Sequence, residues 1–298
     1  AHRLIGKEIG AETIKSIATS LEMKIVKEDA EGLDLLVPPY RVDVQRPCDV
    51  VEDILRIYGY NNVEIPTQLK SSLTVQGEED KHYHTQNIVA EQLVGEGFME
   101  ILNNSLTKAS YYTDFDLNKY PDEHTVKVMN PLSADLGVMR QTMLFGGLES
   151  VSRNINHKSA NLKFFEVGNT YIYNKEKWDA ENPIKGYNQE GHISLFITGK
   201  RVEGNWAHAD EQSSIYELKA VVENILRRVG MPFNNVVVKH SDNNIFSKGV
   251  QYETRAGKVL VELGILSHKL KKAFDIEQDV FYADVHWDNL MKAIKKVN

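Results

Sequence analysis

Three strand-like segments crowd the last third of the chain with almost nothing between them. Residues 235–240, 249–255 and 258–266 are rich in Val, Leu, Ile and Tyr, and RAGK, residues 255–258, has room only for a hairpin turn. Strands joined by so tight a turn run antiparallel. Similar segments stand earlier, at FMEILNNSLT (98–107), VKVMNPLS (126–133), LKFFEVGNTYIYN (162–174) and HISLFITGK (192–200), with a further strand predicted at 280–286. Between them lie helical patterns. Val89, Ala90, Leu93 and Val94 mark one helix, a second follows Arg140, and Leu218, Val222, Ile225 and Val229 mark a third, opened by the capping box Ser214-x-x-Glu217. A short helix after Ser267 and a final helix complete the set. Short adjacent strands with hairpin signals, flanked by helices, predict an α+β architecture around a mainly antiparallel sheet.

The first 66 residues read as a separate small α/β unit. It holds a helix through Ile14, Ile17, Ala18 and Leu21, strands near 23–27 and 33–37, and then an acidic helix. Pro66 and the polar stretch TQLKSSLTVQGEED predict a linker. The opening AHRLIGKEIG has neither the charge pattern nor the apolar run of a targeting segment and reads as a cut inside a longer protein.

Composition narrows the function classes. No 18-residue apolar run exists to span a membrane. The single cysteine, Cys48, leaves no internal disulfide and no cysteine-based zinc site, and a reduced, cytoplasmic setting is expected. A formal charge of −7 is the wrong sign for a free-standing nucleic-acid binder. Short basic groups such as Lys269, Lys271 and Lys272 read as solvated helix faces.

The segment YRVDVQRPCDVVEDILRIYGYNN, residues 40–62, gathers Asp43, Asp49, Glu52 and Asp53 around a helix start. Asp49 and Glu52 suit a capping box after Pro47, and Gly59 suits the helix end. Positions 49, 52 and 53 also share one helix face, with Asp43 on a predicted strand six residues upstream. Clustered carboxylates repel unless a cation intervenes, and hard oxygen ligands suit Mg²⁺. Spacing leaves both a capped, solvated helix start and a metal site open.

PPYRVDVQRPCDVVEDILRIYGYNNVEIP resembles the B5 domain of the bacterial-type phenylalanyl-tRNA synthetase β subunit. Pro38, Arg41, Asp43, Asp49, Glu52, Asp53, Arg56, Tyr58, Gly59 and Tyr60 occupy the positions of that family's signature, with Asp53 where Glu is commoner. GFMEILNNSLT, VMNPLSADLGVMRQTMLFGGLESVSRNINHK and LKFFEVGNTY resemble the synthetase-like core of the same subunit. The resemblance implies a winged-helix-like B5 domain at 1–70 and a non-catalytic, class II aminoacyl-tRNA synthetase-like core at 71–298, an antiparallel sheet flanked by helices. It implies a Mg²⁺ site on Asp43, Asp49, Glu52 and Asp53, shared with the α subunit, and ATP held by α rather than by this chain. It further implies an α2β2 heterotetramer serving phenylalanine ligation to tRNA(Phe), with no membrane and no DNA partner, and subunit contact through the helix near 80–95 and the strand after it. The alternative is a stand-alone nucleic-acid-binding or interaction module.

Active class II cores place cations on the transferring phosphate, one from an Arg-x-Glu strand and one from a glycine-rich segment ending in arginine. Here the strand reads Lys163-Phe164-Phe165-Glu166, and GKVLVELGILSHKL contains no arginine. The core is therefore expected to contribute no catalytic residues. Other features read as structural. His82 and His84 point in different directions on a helix, Gly146-Gly147 lacks the Lys-Ser/Thr of a phosphate loop, and Arg140 reads as an ion-pair residue. Cys48 is expected to be partly buried.

Overall fold

Successive side chains on a strand leave on opposite faces, and the central strands of the large sheet are buried on both. The computed structural model describes residues 1–29, 32–65, 67, 68, 71, 77–115 and 117–295. The chain divides into two units, Ala1–Val75 and Gln76–Asn298. Most of the expected linker, including Pro66, lies outside the described residues.

The first unit begins with a short helix α1 (His2–Ile5), then α2 (Ala11–Ser20), the antiparallel pair β1 (Lys24–Asp29) and β2 (Gly32–Leu36), and α3 (Pro47–Tyr58). Ile9, Ile17 and Ile54 form one small core and Ala18, Met23 and Val44 another. Strand β2 stops before Pro38 and Pro39, so Asp43 sits in a turn and not on the strand the sequence predicts.

The second unit opens with α4 (Glu78–Gly95) and the two-residue strand β3 (Met99–Glu100). Val89 and Leu93 of α4 are buried, whereas Val94 is exposed. The strand predicted over 98–107 is divided, because Asn103 and Asn104 leave the ladder: the backbone N–H groups of Asn103 and Leu106 donate to side chains, Glu166 and Asn104 respectively. Next come β4 (Leu106–Thr107), α5 (Ser110–Thr113) and β5 (Val138–Met139), with β4 and β5 paired. VKVMNPLS forms no named strand and contributes only a bridge from Lys127 to Val138. Then follow α6 (Leu144–Asn156), the long strands β6 (Leu162–Tyr173) and β7 (Tyr187–Thr198), the small pair β8 (Lys200–Val202) and β9 (Glu211–Gln212), and α7 (Ile215–Arg228). The chain closes with β10 (Val236–His240), β11 (Phe246–Thr254), β12 (Val259–Leu266), α8 (His268–Ala273), β13 (Val280–His286) and α9 (Trp287–Lys295).

The main sheet has seven strands in the order β10-β11-β12-β13-β7-β6-β3. Every neighbouring pair is antiparallel except β3 with β6, which run parallel, so the sheet is mixed rather than purely antiparallel. One face carries a large continuous apolar core. Phe165, Ile193, Leu195, Ile197, Ala283 and Val285 on it form a single core with residues of α4, α7 and α9. The opposite face is apolar at one end, where Phe164, Phe196, Phe246 and Tyr282 pack with residues of α5 and α6, and polar at the other.

Two expectations shift in detail. Ser214 does precede α7, but the Glu217 carboxylate pairs with Lys163 Nζ at 2.7 Å instead of closing the capping box. Lys271 is buried and paired with Asp279 at 2.6 Å, so the basic group on α8 is not all solvated. No helix among the described residues is long and apolar enough to cross a membrane.

Gly147 shows how closely α6 approaches the sheet. A Cβ there would lie 2.0 Å from Phe196 Cζ, so the glycine is a packing requirement and not part of a phosphate loop. Gly147→Ala is expected to cost about 1–3 kcal/mol by overpacking, seen as a lowered midpoint of thermal or denaturant unfolding. An unchanged midpoint would show that the helix can retreat from the sheet at no cost.

Candidate functional site

The acidic cluster is organised by the way α3 starts. Pro47 fixes φ at the first helical position, where its missing N–H costs nothing. The helix therefore begins before Asp49, which stands at the third position and reaches back. Its Oδ2 accepts from the backbone N–H groups of Arg46 at 2.8 Å and Gln45 at 3.0 Å. This reverses the role expected from sequence, in which Asp49 precedes the helix and Glu52 reaches back. Asp49 also meets Arg46 Nη2 at 3.1 Å. That pairing and the two backbone donors hold its carboxyl down at about 2.

Asp43 and Asp53 converge on one cation. Arg41 Nη2 lies 3.2 Å from Asp43 Oδ2 and 2.7 Å from Asp53 Oδ2. The guanidinium beside Asp43 holds that carboxyl below the usual range. The same two carboxylates raise the Arg41 pKa further above its ordinary value. Asp53 is buried, Asp43 is exposed, and Glu52 points to solvent from the same helix. Asp43 and Asp53 thus already share a positively charged partner, whereas Asp49 is turned to its own backbone and Glu52 stands apart. A hard divalent cation suits this all-oxygen donor set chemically, and Arg41 marks the point at which two of its members meet. Cys48 is exposed, contrary to expectation.

On the main sheet, Phe164 is buried and packs in the aromatic end of the second face. Glu166, two residues along β6, is fully buried and is met by Arg140 Nη1 at 2.6 Å. Asn103 donates to both of its oxygens, through its backbone N at 3.2 Å and its Nδ2 at 2.7 Å. Arg140 Nε donates to the Asn169 carbonyl at 2.9 Å. Arg140 is thus an internal partner of the strand glutamate. The remaining features are unremarkable in chemistry. His82 Nδ1 accepts from Trp287 Nε1 at 3.2 Å, His84 is exposed, and Trp206 is 99% exposed on the loop joining β8 and β9.

Sequence reasoning missed one group. His192, Asp284, His286 and Glu262 gather at the polar end of the second sheet face, with Glu190 at its edge. The only trace in sequence is the period-two spacing of Glu190, His192 and Ser194 on β7 and of Tyr282, Asp284 and His286 on β13. Their proximity depends on strand register, which places His192 opposite His286.

Comparison with known proteins agrees with this architecture. Two structures of Desulfitobacterium hafniense pyrrolysyl-tRNA synthetase align at 12% identity. One has a TM-score of 0.54 over 72% of this chain and 70% of that one. The other has a TM-score of 0.53 over 97% and 90%. At that identity they establish the fold alone, which is that of class II-like tRNA synthetases. The phenylalanine–tRNA ligase beta subunit of Bacteroides fragilis (strain YCH46) is 58% identical over 296 residues, which is 99% of this chain and 36% of that protein. The corresponding subunit of Porphyromonas gingivalis is 46% identical over 288 residues, 97% of this chain and 35% of that protein. The chain thus spans about a third of the length of these curated relatives. The family model for the tRNA synthetase B5 domain matches residues 1–60, and that for the phenylalanyl tRNA synthetase beta chain CLM domain matches residues 65–287. On these matches the chain belongs to the phenylalanyl-tRNA synthetase β-chain family, as a piece that carries its B5 and CLM domains.

Proposed function

We propose that this chain is the structural and metal-sharing part of a phenylalanine–tRNA ligase β subunit, working in an enzyme that uses ATP to attach phenylalanine to tRNA(Phe). In this reading the α subunit binds ATP and performs the chemistry, two copies of each subunit assemble, and the complex acts in the cytoplasm. The division falls near residue 70, with a winged-helix-like B5 domain before it and the class II-like core after it.

One observation carries the non-catalytic assignment. The β6 position that would supply a phosphate-binding arginine is Phe164, buried among aromatic side chains, and the adjacent Glu166 is neutralised by Arg140. Charge developing on a transferred phosphate needs a preorganised cation, and a phenyl ring supplies none. The support for subunit contact lies along α4 and β3, which borders β6, where Tyr83, Val94, Met99 and Leu102 are exposed on and just after α4. The isolated chain is expected to show no phenylalanine-dependent pyrophosphate exchange with ATP. A signal that persists after every trace of α subunit has been removed would overturn the assignment.

Asp43, Asp49, Glu52 and Asp53 would hold the Mg²⁺. Bound there, the ion would neutralise the cluster and tie it to groups from α. This chain's part is to release Arg41 from Asp43 and Asp53, and Arg46 from Asp49, so that four oxygen donors are free to face one ion. Mg²⁺ keeps several of its waters and gains little from two or three carboxylates alone, so affinity depends on the partner. Crystals of the assembled complex grown with Mn²⁺ should show an anomalous peak at these carboxylates, with Arg41 moved away. Arg41 still bridging Asp43 and Asp53, with no peak, would leave the cluster only its helix-capping and ion-pair roles.

A further inference from the structure

The polar end of the second sheet face carries a group that the reading above does not use. Residues on one face of neighbouring strands meet directly across the ladder. His192 on β7 pairs in register with His286 on β13, and their rings stand 4.6 Å apart. Two residues further along, on the same face, Asp284 lies opposite Ser194, and Glu262 of β12 lies opposite Asp284. Glu190 precedes His192 by two residues and so shares its face.

The hydrogen bonds in this group divide it into used and unused atoms. Asp284 Oδ1 lies 2.7 Å from His192 Nδ1, which directs that imidazole's Nε2 outward. His192 Nε2 stands 3.9 Å from Glu190 Oε2. Glu262 is engaged elsewhere, by Lys119 and by Asn243 Nδ2 at 3.0 Å. His286 Nε2 is buried and has no hydrogen-bond partner among the described residues; Asp284 Oδ2 and Glu262 Oε2 are 3.8 and 4.0 Å away. A buried polar nitrogen left in this state is costly unless something unaccounted for satisfies it. One ligand atom each from Glu190, His192 and His286 fall within 4.8 Å of one another, as do one each from Glu262, Asp284 and His286, but in the second group Glu262 is already engaged.

We infer that Glu190, His192 and His286 form a binding site for a zinc-class divalent ion, with Asp284 orienting His192 from behind. Ligands about 2.0–2.2 Å from a tetrahedral zinc stand roughly 3.3–3.5 Å apart, so the three donors need to close by no more than about 1.5 Å. A carboxylate on the far nitrogen is the usual companion of a zinc-bound histidine, because it fixes the tautomer and ring orientation. Two imidazoles and one carboxylate favour zinc over magnesium, which prefers oxygen. Glu190 is partly exposed, which gives the ion a way in and leaves a fourth position for water.

Titration of the chelator-stripped 298-residue chain with Zn²⁺, and with Co²⁺ as its coloured substitute, tests the site. One equivalent of Co²⁺ should produce the visible bands of four-coordination. His192→Gln and His286→Gln should each weaken binding at least about tenfold, and Asp284→Asn by about 10–100-fold. The exposed control His240→Gln should leave it unchanged. Because a buried substitution can unfold the sheet, histidine ring signals of the unsubstituted chain provide a second reading: zinc should perturb His192 and His286 before any other histidine. Failure to bind zinc overturns the inference. So does binding that perturbs exposed histidines such as His84 or His208 first, or that survives both glutamine variants in folded protein.

Discussion

The buried pair of Arg140 and Glu166 is the interaction on which the second unit's arrangement turns. Glu166 lies in the middle of β6 with no access to solvent, and an ionised carboxylate there is tolerable only if both oxygens are satisfied. Arg140 and Asn103 satisfy them, and each comes from a different stretch of chain. Asn103 is held in turn by Ser150 of α6, whose hydroxyl donates to its Oδ1 at 2.9 Å. One carboxylate thereby joins the segment after β3, the segment after β5, α6 and the sheet. Gly168 belongs to the same arrangement, since a Cβ there would sit 2.3 Å from Arg140 Nη2.

The same pair bears on the proposal that this class II-like sheet contributes no phosphate chemistry. A catalytic face must keep cations available to a ligand, whereas this face spends its arginine on its own glutamate and fills the neighbouring positions with Phe164, Phe196 and Tyr282. What remains polar, around His192, Asp284 and His286, carries a different donor chemistry. The small unit is built on a comparable economy of charge, with Arg41 and Arg46 partnering three of the four clustered carboxylates.

Much of this was legible in the sequence wherever local periodicity and long-range packing agree. The strands β6, β7, β10, β11, β12 and β13 and the apolar stripe of α7 follow from patterns that extend over many residues. Legibility failed where side chains compete with the backbone. Asn103 and Asn104 divide a segment whose composition reads as one strand, and Asp49 occupies the third helical position because Pro47 starts the helix earlier than the Asp-x-x-Glu spacing suggests. The shared position of Asp43 and Asp53 is half visible: their spacing is in the sequence, but the bridge through Arg41 needs the turn after Pro39. The His192–His286 group leaves only a period-two spacing in the sequence, because its proximity is made by register between strands 94 positions apart.

A double-mutant cycle on Arg140 and Glu166 tests the structural role of this pair most directly. Truncating either partner alone, as Arg140→Met or Glu166→Leu, strands a buried charge and should cost about 3–5 kcal/mol of unfolding free energy. Removing both should cost much less than the sum, because no uncompensated charge remains. Additive losses would mean that the two side chains do not depend on each other and that the sheet is held by its apolar face alone.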